Sequence, residues 1–118
     1  MSKKIEKDPN GKDLHEAGAK ADAGKVRVGL FFKDFPRALF EVAKVVTYGA
    51  DKYTASGWVS VPNGIERYED ALGRHLLKSN IEPFDDESEL SHLAHQAWNT
   101  LAVLELKLRQ IEEKDKNE

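Results

Sequence analysis

Apolar residues along this chain gather into three segments of helical spacing, separated and flanked by polar stretches. The first segment runs from about Phe35 to Tyr48, with Asp34 placed to cap it, Pro36 in its opening turn and Gly49 as a stop signal. Leu39, Val42, Ala43 and Val46 form one face, and Phe40, Val45 and Tyr48 carry apolar character around most of the cylinder. That pattern predicts packing on several sides and partial burial of Glu41. The second segment, about Gly64 to Ser79, opens with Asn63 and Glu66 at capping-box spacing and places Ile65, Tyr68, Leu72 and Leu76 on one stripe. Successive helical residues turn by about 100°. Glu66, Glu69, Asp70 and Gly73 therefore share a separate, acidic flank.

The third segment, from near Glu87 to Glu113, carries Leu90, Leu93, Ala94, Ala97, Leu101, Leu104, Leu108 and Ile111 at helical spacing. It has no Asp, Glu, Lys or Arg between Leu90 and Leu104, which predicts that both of its faces are covered. Opposite the leucines stand His92, His95 and Asn99, which need partners if buried. At about 1.5 Å per residue this helix is long for so small a domain, and its far end is placed to meet a second subunit. The runs Val26 to Phe32 and Trp58 to Val61 do not alternate cleanly and read as loops. The pattern as a whole predicts an all-α, compact helical bundle of three to four helices with an extended N-terminal arm. Residues 1–17 read as a flexible polar arm, 18–111 as the domain and 112–118 as a charged tail.

At 118 residues the core is modest, and with no staple the default expectation is a homo-oligomer. The absence of cysteine removes disulfides, thiolate zinc sites and cysteine nucleophiles, and fits a reducing, cytoplasmic setting. A net charge of -3 offers no general attraction to polymeric nucleic acid. No apolar run approaches the roughly 20 residues that span a bilayer, so no membrane partner is expected.

Charge changes the picture between Val61 and Asn99, where eight acids face three Lys or Arg residues. Glu41, Asp70, His92 and His95, with Glu66, Glu69, Glu82, Asp85 and Glu87 nearby in sequence, compose a carboxylate and imidazole set suited to magnesium, manganese or a similar divalent ion inside a helix bundle. Acids near helix starts are also ordinary partners of the helix dipole, which accounts for Glu66, Glu82, Asp86, Glu87 and Glu89 taken singly. His92 and His95, one turn apart with Asn99 continuing their line, can turn toward one site. His75 could orient a carboxylate or meet phosphate, and taken by itself it reads as structural. The basic, glycine-containing run Gly18 to Arg27, with Lys20, Lys25 and Arg27, could approach an anion, yet it lacks the spacing of a Walker loop. Lys52 and Trp58 could meet a phosphate and a base, or simply pack a loop.

Taken in order, Lys20-Ala-Asp-Ala-Gly-Lys25-Val-Arg27, Glu41 through Tyr48-Gly-Ala-Asp-Lys52-Tyr53, Gly57-Trp58, Tyr68-Glu-Asp70-Ala-Leu-Gly-Arg74-His75, Glu82-Pro-Phe-Asp85-Asp-Glu87-Ser88 and His92-Leu-Ala-His95-Gln-Ala-Trp98-Asn99 resemble the phage dATP/dGTP diphosphohydrolase family. That family is similar to the broader all-α MazG-like pyrophosphohydrolases. The resemblance implies a helical bundle, oligomers and a Mg2+- or Mn2+-dependent cut between the α and β phosphates of a purine deoxynucleoside triphosphate, in a host cytoplasm if phage-encoded. It also implies catalytic roles for Glu41, Asp70 and His95, metal ligation by Glu41, Asp70, Glu82, Asp85 and His92, and substrate binding by Lys20, Lys25, Arg27, Lys52, Trp58, Arg74, His75 and Asn99. Typical MazG-like enzymes carry paired Glu on one helix and a Glu-x-x-Asp step on the next, where this chain has Asp70 with Arg74-His75 and then His92-x-x-His95. It also has Ile81 and Glu89 where glycine is commoner. Those differences leave two alternatives open: a nucleotide-binding module without catalysis, and a zinc-type phosphohydrolase using His75, His92 and His95.

Overall fold

A computed structural model describes residues 5–117. Four α-helices and one 3₁₀ turn make up its regular structure: α1 (Val28–Asp34), α2 (Pro36–Lys52), the 3₁₀ turn Gly57–Ser60, α3 (Gly64–Ser79) and α4 (His92–Lys116). Among the described residues there is no strand, only an isolated bridge between Phe84 and Ser91. The all-α reading holds. No helix among these residues is long and apolar enough to cross a membrane. The chain divides into two compact units, residues 1–34 and 35–118.

In the first unit the polar segment is a string of turns organised by one carboxylate. Asp8 is nearly buried, and its oxygens accept from the backbone N–H groups of Lys20 (2.9 Å), Asn10 (2.9 Å) and Lys12 (3.2 Å). Those bonds, with Lys20 the largest, hold Asp8 below the usual carboxylate range against the opposing effect of burial. Ala23 N–H closes the string onto Lys7 carbonyl at 2.8 Å. The run Val26 to Phe32, expected as a loop, falls from Val28 onward in helix α1. Seven residues are too few to display a period of about 3.6.

In the second unit α3 and α2 both pack on α4, and the 3₁₀ turn packs on α3. Close approach at the start of α3 depends on Gly64, where an added Cβ would sit 3.2 Å from Leu106 Cδ1. Trp58, Tyr68 and Trp98 form a mutual edge-to-face cluster with ring centroids 5.5 to 6.0 Å apart, tying the 3₁₀ turn, α3 and α4 together. Tyr68 also donates its hydroxyl to Trp58 carbonyl at 2.7 Å.

Several helix limits differ from the pattern. Asp34 ends α1, and α2 begins at Pro36 with no side-chain cap. Gly49 does not stop α2, because Ala50, Asp51 and Lys52 continue it to Tyr53, whose N–H reaches Gly49 carbonyl at 2.9 Å. A glycine inside a helix costs only about 1 kcal/mol. Asn63 takes a left-handed conformation (φ 54°) and makes no capping bond, so the capping box is not formed. Helix α4 starts at His92 rather than near Glu87, because Ser91 is its cap and accepts from Ala94 N–H at 3.1 Å. It continues to Lys116, beyond the expected end.

The larger correction concerns which face of α4 is covered. The buried residues are His92, Ala94, His95, Asn99 and Ala102, whereas Leu93, Leu101, Leu104, Leu108 and Ile111 are each at least half exposed. Helix α2 likewise buries only Val45 and leaves Phe40 and Val46 open. This chain turns its imidazoles inward and its leucines outward.

Candidate metal centre

The segment between α3 and α4 doubles back so as to bring acids beside the α4 imidazoles. Asp85 N–H donates to Leu90 carbonyl (2.8 Å), and His92 N–H donates to Pro83 carbonyl (3.0 Å). Inside this loop Asp85 Oδ2 accepts from Ser88 N–H at 2.8 Å, Ser88 Oγ accepts from Leu90 N–H at 3.1 Å, and Glu89 adopts a left-handed φ of 62°. Proximity of Pro83 to the first turn of α4 thus places Glu82 and Asp85 against His92.

His92 is fully buried, with Nδ1 3.0 Å from His75 Nδ1 and Nε2 3.1 Å from Glu82 Oε1. His75 stacks on His95, their centroids 4.6 Å apart and planes 9° from parallel. His95 Nε2 lies 2.7 Å from Ser88 Oγ, and Tyr48 meets the His95 ring edge-on at 6.1 Å. Asn99 anchors this turn of α4 by donating its amide to His95 carbonyl at 2.8 Å. Among the described residues, His75, Asp85 and His92 are the trio whose potential ligand atoms all lie within 4.8 Å of one another.

Electrostatics prepare these groups as lone-pair donors. Burial lowers His75 to about 4, with the neighbouring His95 and His92 acting in the same direction, so its ring is neutral at pH 7. Burial also lowers His95. Burial opposes ionisation of Asp85, but bonds from Ser88 and the nearby imidazoles outweigh it and leave its carboxyl below the ordinary range. Neutral imidazole and ionised carboxylate are the forms that bind metal. Two imidazoles and a carboxylate fit borderline Zn2+, or Mn2+, which accepts imidazole more readily than Mg2+ does, better than Mg2+, which prefers oxygen alone.

At the edge of this cluster Lys52, from the last turn of α2, is ion-paired with Glu87. Their hydrogen bond is the main reason that Lys52 is raised and Glu87 lowered, and Tyr48, beside both, is raised by burial and by Glu87. A groove of about 430 Å³ along α2, lined by Tyr48, Thr47, Asp51 and Lys44 among others, opens at Ser88.

Of the residues singled out from sequence, the structure brings together Glu82, Asp85, His92, His95, His75 and Asn99, with Lys52 close by through Glu87. Glu41 and Asp70 do not belong to the trio. Glu41 pairs with Lys44 at 2.8 Å on the surface of α2, and Asp70 is exposed, with no hydrogen bond or ion pair among the described residues. Arg74 is exposed next to His75, Trp58 sits in the aromatic cluster, and Lys20, Lys25 and Arg27 lie in the first unit. Ser88 and Tyr48 were missed as site residues. The Asp85-x-x-Ser88 spacing was a usable signal, since Asp commonly receives a backbone N–H a few residues on, whereas nothing local marks Tyr48.

A family model described as "dATP/dGTP diphosphohydrolase, N-terminal" matches residues 15–116. A protein named dATP/dGTP diphosphohydrolase from Salmonella phage PMBT28 is 42% identical over 89 residues, a match that covers 73% of this chain and 28% of that relative. The chain therefore corresponds to less than a third of that relative's length. No solved structure matches it. The matched span takes in α1 to α4 and every residue of the imidazole and carboxylate cluster, and the chain belongs to the dATP/dGTP diphosphohydrolase N-terminal family.

Proposed function

We propose that this chain hydrolyses purine deoxynucleoside triphosphates, dGTP or dATP, to the monophosphate and pyrophosphate at a divalent metal centre held by His75, Asp85 and His92. The convergence of those three ligand atoms within 4.8 Å, in a member of this family, is the observation that carries the reading. When bound, the ion supplies phosphate charge neutralisation and a more acidic water. His95, held neutral by burial, takes the proton of the attacking water by way of the Ser88 hydroxyl 2.7 Å from its Nε2. The new bond joins water oxygen to the α phosphorus, and the bond from that phosphorus to the oxygen bridging to the β phosphate breaks. Arg74 and Lys52 meet the departing phosphates, Lys52 exchanging Glu87 for substrate.

The same donor set supports a second reading, a zinc-type phosphohydrolase that releases phosphates stepwise. Incubating the protein with dGTP, dATP, dCTP and dTTP plus Mn2+, Mg2+ or Zn2+, followed by anion-exchange analysis, separates the two. Monophosphate with pyrophosphate, from purine substrates and with manganese, is the expected result. Inorganic phosphate as the sole by-product favours the second reading, and intact triphosphate under every condition defeats both.

The protein is further proposed to act as a homo-oligomer through α4. Leu93, Leu101, Leu104, Leu108 and Ile111 are 50 to 63% exposed. Together they present on the order of 500 Å² of apolar surface, near the top of what a monomer ordinarily leaves open. A second copy of the same helix, offering the same stripe, can cover it in a two-fold interface.

A further inference from the structure

His92 is the one fully buried large side chain among the described residues, and both of its ring nitrogens are engaged. Its Nε2 faces the Glu82 carboxylate at 3.1 Å and its Nδ1 faces His75 at 3.0 Å. A carboxylate accepts but does not donate, so a proton must sit on His92 Nε2. The form of imidazole that binds metal is neutral and holds one N–H, which leaves Nδ1 with the lone pair. The two nitrogens project from opposite edges of the ring, so the group that binds one cannot also share an ion with the other. Glu82 is accordingly outside the trio formed by His75, Asp85 and His92.

We propose that Glu82 is a positioning residue that holds His92 in the Nε2–H tautomer and thereby aims the Nδ1 lone pair at the His75 side of the cluster, where a divalent cation binds. This rests on the metal reading given above but assigns Glu82 a role through His92 rather than on the ion. With His92 in that metal-binding form, its Nδ1 lone pair accepts from His75, so His75 carries its proton on Nδ1. For both residues to hold a cation through Nδ1, His75 would have to carry its proton on Nε2 instead, with no net change in protons. His75 therefore changes tautomer on loading and His92 does not. Glu82 is about two-fifths exposed, so its replacement leaves no void in the packed interior.

Side-chain 15N NMR of the full chain tests the idea in two stages. In the metal-free protein His92 is expected as the Nε2–H form and His75 as the Nδ1–H form, and added Zn2+, a diamagnetic probe, is expected to shift Nδ1 of His92. Glu82→Gln, whose amide can donate as well as accept, should show both His92 tautomers and bind Mn2+ about 10- to 100-fold more weakly in an electron paramagnetic resonance titration. Glu82→Asp, which again only accepts, should recover the single tautomer and most of the affinity. His92 protonated on Nδ1, zinc bound through His92 Nε2, or Mn2+ affinity within two-fold of wild type in Glu82→Gln would each overturn the proposal. Wild-type protein that binds neither ion would overturn it together with the metal reading, whereas tight wild-type binding unaffected by Glu82→Gln would remove only the role of Glu82.

Discussion

Replacing His75 by Asn should flatten the dependence of folding stability on pH between 7 and 5. His75 titrates near 4 in the folded chain, against about 6.5 for an unperturbed imidazole. The unfolded chain therefore takes up a proton first as pH falls, and protons favour unfolding. The contribution of neutral His75 is present in full above about pH 6.5 and is lost as pH falls toward 4. A displacement of about 2.5 units corresponds to a ceiling of about 3.4 kcal/mol, of which about 1.9 kcal/mol is lost between pH 7 and pH 5. The ring keeps some contact with solvent, whose screening brings the expected loss to about 1 kcal/mol. Urea unfolding in EDTA, followed by the fluorescence of Trp58 and Trp98, measures it. With a urea slope of about 1 to 1.5 kcal/mol/M, the wild-type midpoint should fall by about 0.7 to 1 M more than that of His75→Asn over this interval. His95, also lowered by burial, adds a loss of the same sign that persists in the variant. Equal pH slopes in the two proteins would refute the claim that His75 is held neutral by its surroundings.

Three further outcomes follow from particular contacts. Ser91→Ala removes the acceptor for Ala94 N–H and should destabilise the chain by about 1 kcal/mol, read as a fall of several degrees in melting temperature. Glu89→Gly relieves a left-handed residue (φ 62°) and should raise stability by about 0.5 to 1 kcal/mol in the same melts; a loss would mean that the Glu89 side chain holds the loop. Leu104→Lys with Leu108→Lys should shift the mass measured by light scattering to that of a monomer, while far-ultraviolet circular dichroism stays helical; an unchanged mass would place any interface elsewhere.

The three longer helices were legible because an extended helical period is a local property, whereas α1 was too short to show one and the site was legible only in pieces. The 3.6-residue period of Leu90 to Ile111 identifies a helix but not the face that this chain itself covers, and here burial goes to His92, His95 and Asn99. A leucine stripe and an inward polar stripe are both compatible with one amphipathic pattern, and they are told apart by what packs opposite. Within the chain that neighbour is α3, which presents His75 to the imidazoles of α4 and so makes the polar face the interior one. Similarly, Glu41 and Asp70 both stand beside apolar residues in helices, yet half-buried Glu41 pairs with Lys44 and Asp70 lies in solvent. Asp85 and Glu82 reach the imidazoles because of the turn from Pro83 to Ser91, closed by backbone bonds and by the Ser88 hydroxyl. Such a turn has no hydrophobic period to announce it. Its signals are Pro83, the Asp85-x-x-Ser88 spacing and the position of Glu89, where the expectation of glycine coincides with the left-handed backbone that glycine accommodates. The chain accepts a strained glutamate there because the turn and cap contacts between Pro83 and Ala94 fix the backbone around it, and the same contacts hold Asp85 against the imidazole pair.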